Sequence, residues 1–155
     1  MRKSFFIVLA SALLLVACSQ DFVYEGNCEI ANGVWDNKQV AQFEFDVQDT
    51  VSLHDFFIDI RNGENYPYGN IIVFVETEFP NGKFAVDTLD CPLADAQGNW
   101  YGSGGLGDLY DNRVRYKTKK QFPISGHYKV SIHQALRENP VEGIYDVGFR
   151  LAKSK

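Results

Sequence analysis

Histidine and cysteine are scarce in this chain, with three of each in 155 residues. No second long apolar run follows the first, and no segment has the periodicity of an amphipathic helix. Internal repeats and low-complexity stretches are absent. These gaps exclude several function classes. His127 and His133 are six positions apart, so on a strand they share a face about 20 Å apart, too far to hold one metal. His54 stands alone. Neither Asp87 with Asp90 nor Asp108 with Asp111 has the spacing of a calcium loop, and no carboxylate pair has a glycosidase pattern. Positive charge is outnumbered, with 15 Lys and Arg against 20 Asp and Glu, for a net charge of −5. That balance argues against general nucleic-acid binding, and against an anionic lipid surface as the main partner.

The one long apolar run is Phe5 to Ala17, preceded by Arg2 and Lys3. It is too short to cross a hydrocarbon core of about 30 Å. A basic start, an apolar stretch and the tetrapeptide Leu15-Val16-Ala17-Cys18 read as a signal peptide (residues 1–17) ending in a lipobox. Cleavage then falls before Cys18, whose thiol carries the lipid. An incidental cysteine behind an ordinary signal is the alternative. Two acyl chains anchor a soluble domain, each buried methylene contributing about 0.8 kcal/mol. Residues 18–34 read as a lipidated start and tether, with Phe22 to Tyr24 as a short edge strand at most, and 35–155 as a single domain. Loss of Arg2 and Lys3 makes the remainder more acidic still. An exported compartment permits Cys28 and Cys91 to pair; two buried free thiols are the alternative.

Alternation dominates the domain. Ala41, Phe43, Phe45 and Val47 alternate with Gln42, Glu44 and Asp46, which predicts a half-buried strand. Phe56, Ile58 and Ile60 alternate with Phe57, Asp59 and Arg61 in the same way. Ile71 to Val75 is continuously apolar and predicts a central strand running to Phe79. Asn81-Gly82 then predicts a hairpin returning through Phe84, Val86 and Thr88. Val114 with Tyr116, Tyr128 to Ile132, and Tyr145 to Leu151 complete about seven strands. Short strands separated by turn clusters predict an all-β fold, a single antiparallel sandwich of immunoglobulin-like or jelly-roll-like form.

Two long loops interrupt it, Asn62 to Asn70 and Asp95 to Asp108. Gly102 to Gly107 matches G-x-G-x-x-G, but no strand-turn-helix surrounds it, so the glycines serve backbone freedom. Ser103-Gly104-Gly105 resembles a protease nucleophile loop, yet Tyr101 stands where an elbow needs glycine, and no histidine has a motif link to it. Tyr66, Tyr68, Trp100, Tyr101 and Tyr110 lie in or near the loops. They form either a platform for sugars or a protein hot spot, or else Trp100 and one or two tyrosines plug the sandwich end. Arg113, Arg115, Lys117, Lys119 and Lys120 alternate as one solvated basic strand face.

The order of these pieces resembles the gliding-motility lipoproteins of the GldH type, found in Bacteroidetes. The likeness is carried by Arg61-Asn62, Tyr66-Pro67-Tyr68-Gly69-Asn70, Phe79-Pro80-Asn81-Gly82, Leu93-Ala94-Asp95, Trp100, Gly105 to Arg113, Gly126-His127-Tyr128 and Gly143 to Gly148. Leu136 stands where the family more often has Met, a volume-conserving change. The resemblance implies an outer-membrane lipoprotein of surface gliding, a process tied to type IX secretion. It implies no enzymatic activity, cofactor or metal, and transfers one residue, Cys18. Ser19-Gln20-Asp21 carries a single acidic residue where surface export favours several, which leans towards the periplasmic face. The expected role is a non-enzymatic adaptor that binds other envelope proteins, with a lipid-anchored carbohydrate-binding module as the alternative. The expected binding surface is Arg61, Tyr66, Tyr68, Asp95, Trp100 and Tyr101.

Overall fold

The computed structural model describes residues 22–104 and 107–155. The signal peptide and Cys18 lie outside the described residues. Among the described residues, eleven strands follow in order. They are β1 (Phe22–Glu29), β2 (Val34–Trp35), β3 (Ala41–Val47), β4 (His54–Gly63), β5 (Asn70–Glu78) and β6 (Phe84–Pro92). Then come β7 (Ser103–Gly104), β8 (Leu109–Lys120), β9 (Gly126–Gln134), β10 (Val141–Glu142) and β11 (Ile144–Lys153). The seven expected strands are β3, β4, β5, β6, β8, β9 and β11. The additions are β1 and three two-residue strands. The tether reading of 18–34 is corrected over Phe22–Glu29, an eight-residue strand paired with β11. Its apolar content is low because it is an edge strand that buries one face only.

Two antiparallel sheets stack as a sandwich, one ordered β1-β11-β4-β8-β7 and the other β3-β9-β5-β6. Successive long strands alternate between the sheets, except the hairpin β5–β6. This interleaving is the double-sheet jelly roll and decides between the two expected forms. The hairpin turns as Asn81-Gly82 predicts, but only Gly82 adopts positive φ, at 74°. The Asn81 side chain instead accepts the Lys83 N–H at 3.1 Å.

Alternation places the core. Ala41, Phe43, Phe45 and Val47 point inward and their polar neighbours outward. Phe149 lies between the sheets with its ring centroid within 6.3 Å of those of Tyr24, Phe43, Phe45 and Phe56. Nearer one end, Phe45 stacks on Tyr128 at 5.9 Å and Phe122 meets Tyr128 edge-on at 5.0 Å. Trp35 is fully buried at the other end, where β2 pairs with β10, and its indole N–H donates to the Gln39 carbonyl at 2.8 Å. A bulge between Ile144 and Asp146 leaves Tyr145 half-buried outside the inward row of Val147, Phe149 and Leu151. Its ring lies over Gly33 and Gly63, where any Cβ would be 2.7–2.8 Å from ring atoms.

Strand register gives the sandwich two distinct ends. Phe22 sits opposite Ala152, Ala152 opposite Asp55, and His54 opposite Lys120. The end where β1 begins therefore carries loops 48–53, 79–83 and 121–125. Loops 64–69, 93–102 and 135–140 emerge at the opposite end. Truncation of the central ring, Phe149→Ala, should cost about 3–5 kcal/mol of unfolding free energy, read from urea denaturation monitored by circular dichroism.

Candidate functional site

The two long loops meet at the end opposite β1. The N–H groups of Leu93 and Ala94 both donate to the Gly69 carbonyl, at 2.8 and 2.9 Å, and the Glu64 N–H reaches the Asp108 carbonyl at 2.9 Å. Tyr66 is the pin of this cluster. It is 3% exposed, and its hydroxyl donates to the Asn70 carbonyl at 2.8 Å. Burial above all raises the pKa of its phenol. Gly143 has φ +88°, and a Cβ there would lie 2.7 Å from the Tyr66 backbone, so only glycine lets the two segments touch. Trp100 is half-buried between Tyr66 at 6.5 Å and Tyr110 at 5.7 Å. It plugs the end rather than forming an open platform.

The other expected surface residues divide. Tyr101 is 63% exposed and Tyr68 41% exposed, with the Tyr68 hydroxyl donating to the Glu138 carboxylate. Asp95 is engaged within its own turn. It accepts the N–H groups of Gln97 and Asn99 at 2.9 and 2.8 Å and the Asn99 side chain at 2.9 Å. The Asn99 side chain is the first cause holding its carboxyl below the usual range. Arg61 is not part of the cluster. It stands on the outer face of the five-stranded sheet in a two-pronged pair with Asp111, at 2.6 and 3.3 Å.

That outer face is a polar groove of about 370 Å³ lined by Asp59, Arg61, Asp111, Arg113, Asp146 and Arg150. Its charges answer each other. Asp59 accepts from Arg113 at 3.0 Å and from Arg150, and Arg150 also pairs with Glu25. The Phe22 ring lies 5.2 Å from the guanidinium carbons of both arginines, so β1 is clamped across the sheet. The expected single basic face breaks up. Arg113 and Arg115 face outward, but register shifts around Phe56 turn Lys117 towards Asp87, 2.8 Å away. Lys119 and Lys120 remain exposed at the strand end.

Two features escaped sequence reasoning. An apolar cleft of about 460 Å³ opens between the sheets, walled by Phe56, Phe79, Tyr116, Phe122, Tyr128 and Phe149. And β6 is the edge of the four-stranded sheet. On its outer face Phe84 is 58% and Val86 60% exposed, beside Phe74 at 43% on β5. Alternation in Phe84, Val86 and Thr88 was legible, but which face of an edge strand stays bare depends on the layer order.

The remaining chemical candidates lie apart. Ser103 is opposite Asp111 on the outer face. His54 is buried against Phe122, their ring centroids 5.2 Å apart, and His127 bonds Asp46 at 3.1 Å on the other sheet. Among the described residues, no group of three or more His, Cys, Asp or Glu side chains is arranged to hold a metal. Cys28 and Cys91 are both free thiols, which corrects the possible disulfide. Their strands are opposite edges of the sandwich, since β1 lies against β3 and β6 against β8. Cα atoms that far apart exclude a bridge. Burial raises the pKa of both thiols, that of Cys91 to about 12.

Asp146 in the groove yields a pH prediction. Burial is the first cause raising its pKa, with Arg61 opposing and Asp111, Glu29 and Asp59 reinforcing. An acid whose folded pKa exceeds its unfolded value lowers stability once pH rises past the unfolded value, and the loss is complete above the folded value. Asp146→Asn should therefore raise the denaturation midpoint at neutral pH. The gain should shrink as pH falls through the folded pKa and vanish below the unfolded one, read from urea curves across pH 3–8.

A family model described as GldH lipoprotein matches residues 22–151. A gliding motility lipoprotein GldH homolog of Christiangramia forsetii is 38% identical, with 99% of each chain covered. Gliding motility lipoprotein GldH of Flavobacterium johnsoniae is 34% identical, covering 94% of this chain and 93% of the relative. Among solved structures, a family 35 carbohydrate binding module from Clostridium thermocellum aligns over 75% of this chain and 95% of its own, with TM-score 0.35 and 8% identity. Dimeric latent PorU from Porphyromonas gingivalis aligns over 88% of this chain and 14% of its own, with TM-score 0.35 and 9% identity. At that level neither likeness bears on ligand or partner. By the family model and by both curated relatives, this chain belongs to the GldH lipoprotein family.

Proposed function

We propose that this gliding-motility lipoprotein is held in the outer membrane by lipid on Cys18, faces the periplasm and acts as a non-enzymatic adaptor for other envelope proteins. The observation that carries the adaptor reading is the bare edge of β6, where Phe84 and Val86 lie exposed beside Phe74. An unpaired edge strand offers its free backbone N–H and C=O groups to a partner strand, and apolar side chains beside it add burial. Fully burying side chains of this kind contributes about 1.5–3 kcal/mol each, enough to make such a strip a hot spot. The loop cluster around Tyr68 and Tyr101 is the second candidate contact. Its aromatic surface is smaller, because Tyr66 and Trp100 are committed to packing.

The reading separates cleanly in cells. Replacing residues 1–18 with a cleavable signal peptide that has no lipobox should move the protein from the membrane to the soluble fraction without changing its fold, since Cys18 precedes the first strand. Tagged, lipidated protein should be cross-linked in intact cells and its partners identified by mass spectrometry. Phe84→Ser with Val86→Thr should lose most cross-linked envelope proteins at unchanged expression, while Tyr68→Ala with Tyr101→Ala should lose few. The reverse pattern would move the contact to the loop end. Recovery of the lipoprotein alone, under conditions that capture known complexes, would sink the adaptor reading.

A further inference from the structure

We propose that the end of the sandwich where β1 begins is itself a membrane-contacting surface, which docks on anionic phospholipid headgroups with Val51 and Leu53 inserted. The inference rests on the reading of Cys18 as the acylated residue. From Cys18 to Phe22 the chain reaches no further than about 14 Å even when fully extended. The described domain begins at Phe22, so the end of the sandwich that carries Phe22 must lie against the headgroup layer.

What that end presents suits a lipid surface. Val51 is 79% exposed, Val23 52% and Leu53 42%. They are held close to one another. Asp49 and Lys153 line a hollow with Val23, and the Ser154 N–H donates to the Leu53 carbonyl at 2.8 Å. The loop bearing Val51 is built to keep its tip outward. The Asp49 carboxylate accepts the N–H groups of Val51 and Ser52 at 3.0 and 2.9 Å, and Gln121 donates to the Val51 carbonyl at 2.7 Å. An apolar side chain on a tied loop therefore points away from the core with its backbone groups already satisfied by protein. Such a tip enters an interface without stranding polar groups.

Lysines cluster around the tip of an acidic protein, alongside Asp46 and Asp49 in the same hollow and Glu78 at the same end. Lys119, Lys120, Lys153 and Lys155 are exposed there. Lys153 pairs with Asp49 at 3.3 Å, and Asp55 accepts from Ser154 and from the Lys119 backbone. Lys119, Lys120 and Lys155 make no ion pair among the described residues. The opposite end carries Asp36, Glu64, Asp95, Asp108 and Glu138 against Lys38 and Arg137. The net acidity of the whole chain thus conceals a cluster of exposed lysines at this end, three of them without an ion pair among the described residues. Lysines within a Debye length of anionic headgroups are attracted to them.

The test uses full-length acylated protein, its lipid verified by intact mass, reconstituted in vesicles of phosphatidylcholine and phosphatidylglycerol. Part of the lipid is brominated near the headgroup end of its chains, which quenches tryptophan at that depth. Trp35 and Trp100 lie at the far end and give an unquenched background. Val51→Trp adds an emitter at the tip, and Thr88→Trp adds one on an exposed sheet face away from it. The added emission of Val51→Trp should be roughly halved by brominated lipid, and that of Thr88→Trp left unchanged. Lys119→Glu with Lys120→Glu should remove most of the quenching at Val51→Trp. Equal quenching of Val51→Trp and Thr88→Trp in acylated, vesicle-bound protein overturns the docking proposal and leaves the anchor standing. Protein that lacks acyl chains and does not float with vesicles overturns the anchor reading and the docking proposal together.

Discussion

The ring of Phe149 is the interaction on which the rest depends. It meets Tyr24 from β1, Phe43 and Phe45 from β3, and Phe56 from β4, and so joins both sheets. Closing the sandwich around it fixes where each loop emerges. It also fixes β1, a strand with little apolar content of its own, through Tyr24 inside and the Phe22 clamp outside. The first strand of the described domain is thus tied at both faces. Whatever holds the chain before Phe22 pulls on the whole core rather than on a loose arm.

Much of this was legible in the sequence, and the parts that were not have definite causes. Strict alternation in Ala41 to Val47, and in Phe56 to Arg61, identified strands and inward faces because a half-buried strand has period two. Asn81-Gly82 located the hairpin because only a positive φ closes that turn. The eight-residue β1 was read as mostly tether because an edge strand needs so little apolar content. Lys117 was placed on the solvated face because the register shifts around Phe56 that turn it leave no compositional mark. The Cys28–Cys91 bridge was left open because spacing in sequence says nothing about which edge of which sheet a strand occupies.

The candidate site divides in the same way. The loops from Asn62 to Asn70 and from Asp95 to Asp108 were singled out by their aromatics, and they do meet. Their chemistry is mostly structural, with Tyr66 and Trp100 in packing and Asp95 inside its own turn. Arg61 belongs to a charge lattice on the sheet face. Phe84 and Val86 are bare because they point to the outer face of β6, which pairs with β5 alone and so lies at a sheet edge, and no local pattern announces that. What emerges is a domain with polarity: a lysine-rich, apolar-tipped end where β1 begins, an acidic end of tied loops opposite, and an apolar edge between them.

That polarity is the central claim, and neutron reflectometry of the acylated protein on a supported bilayer tests it most directly. β8, at twelve residues, runs along the sandwich and is about 40 Å long, while five paired strands span about 25 Å. A domain standing on its β1 end should give a protein layer close to 40 Å thick directly above the headgroups. A layer near 25 Å would mean that the sandwich lies on its side, and would contradict the account.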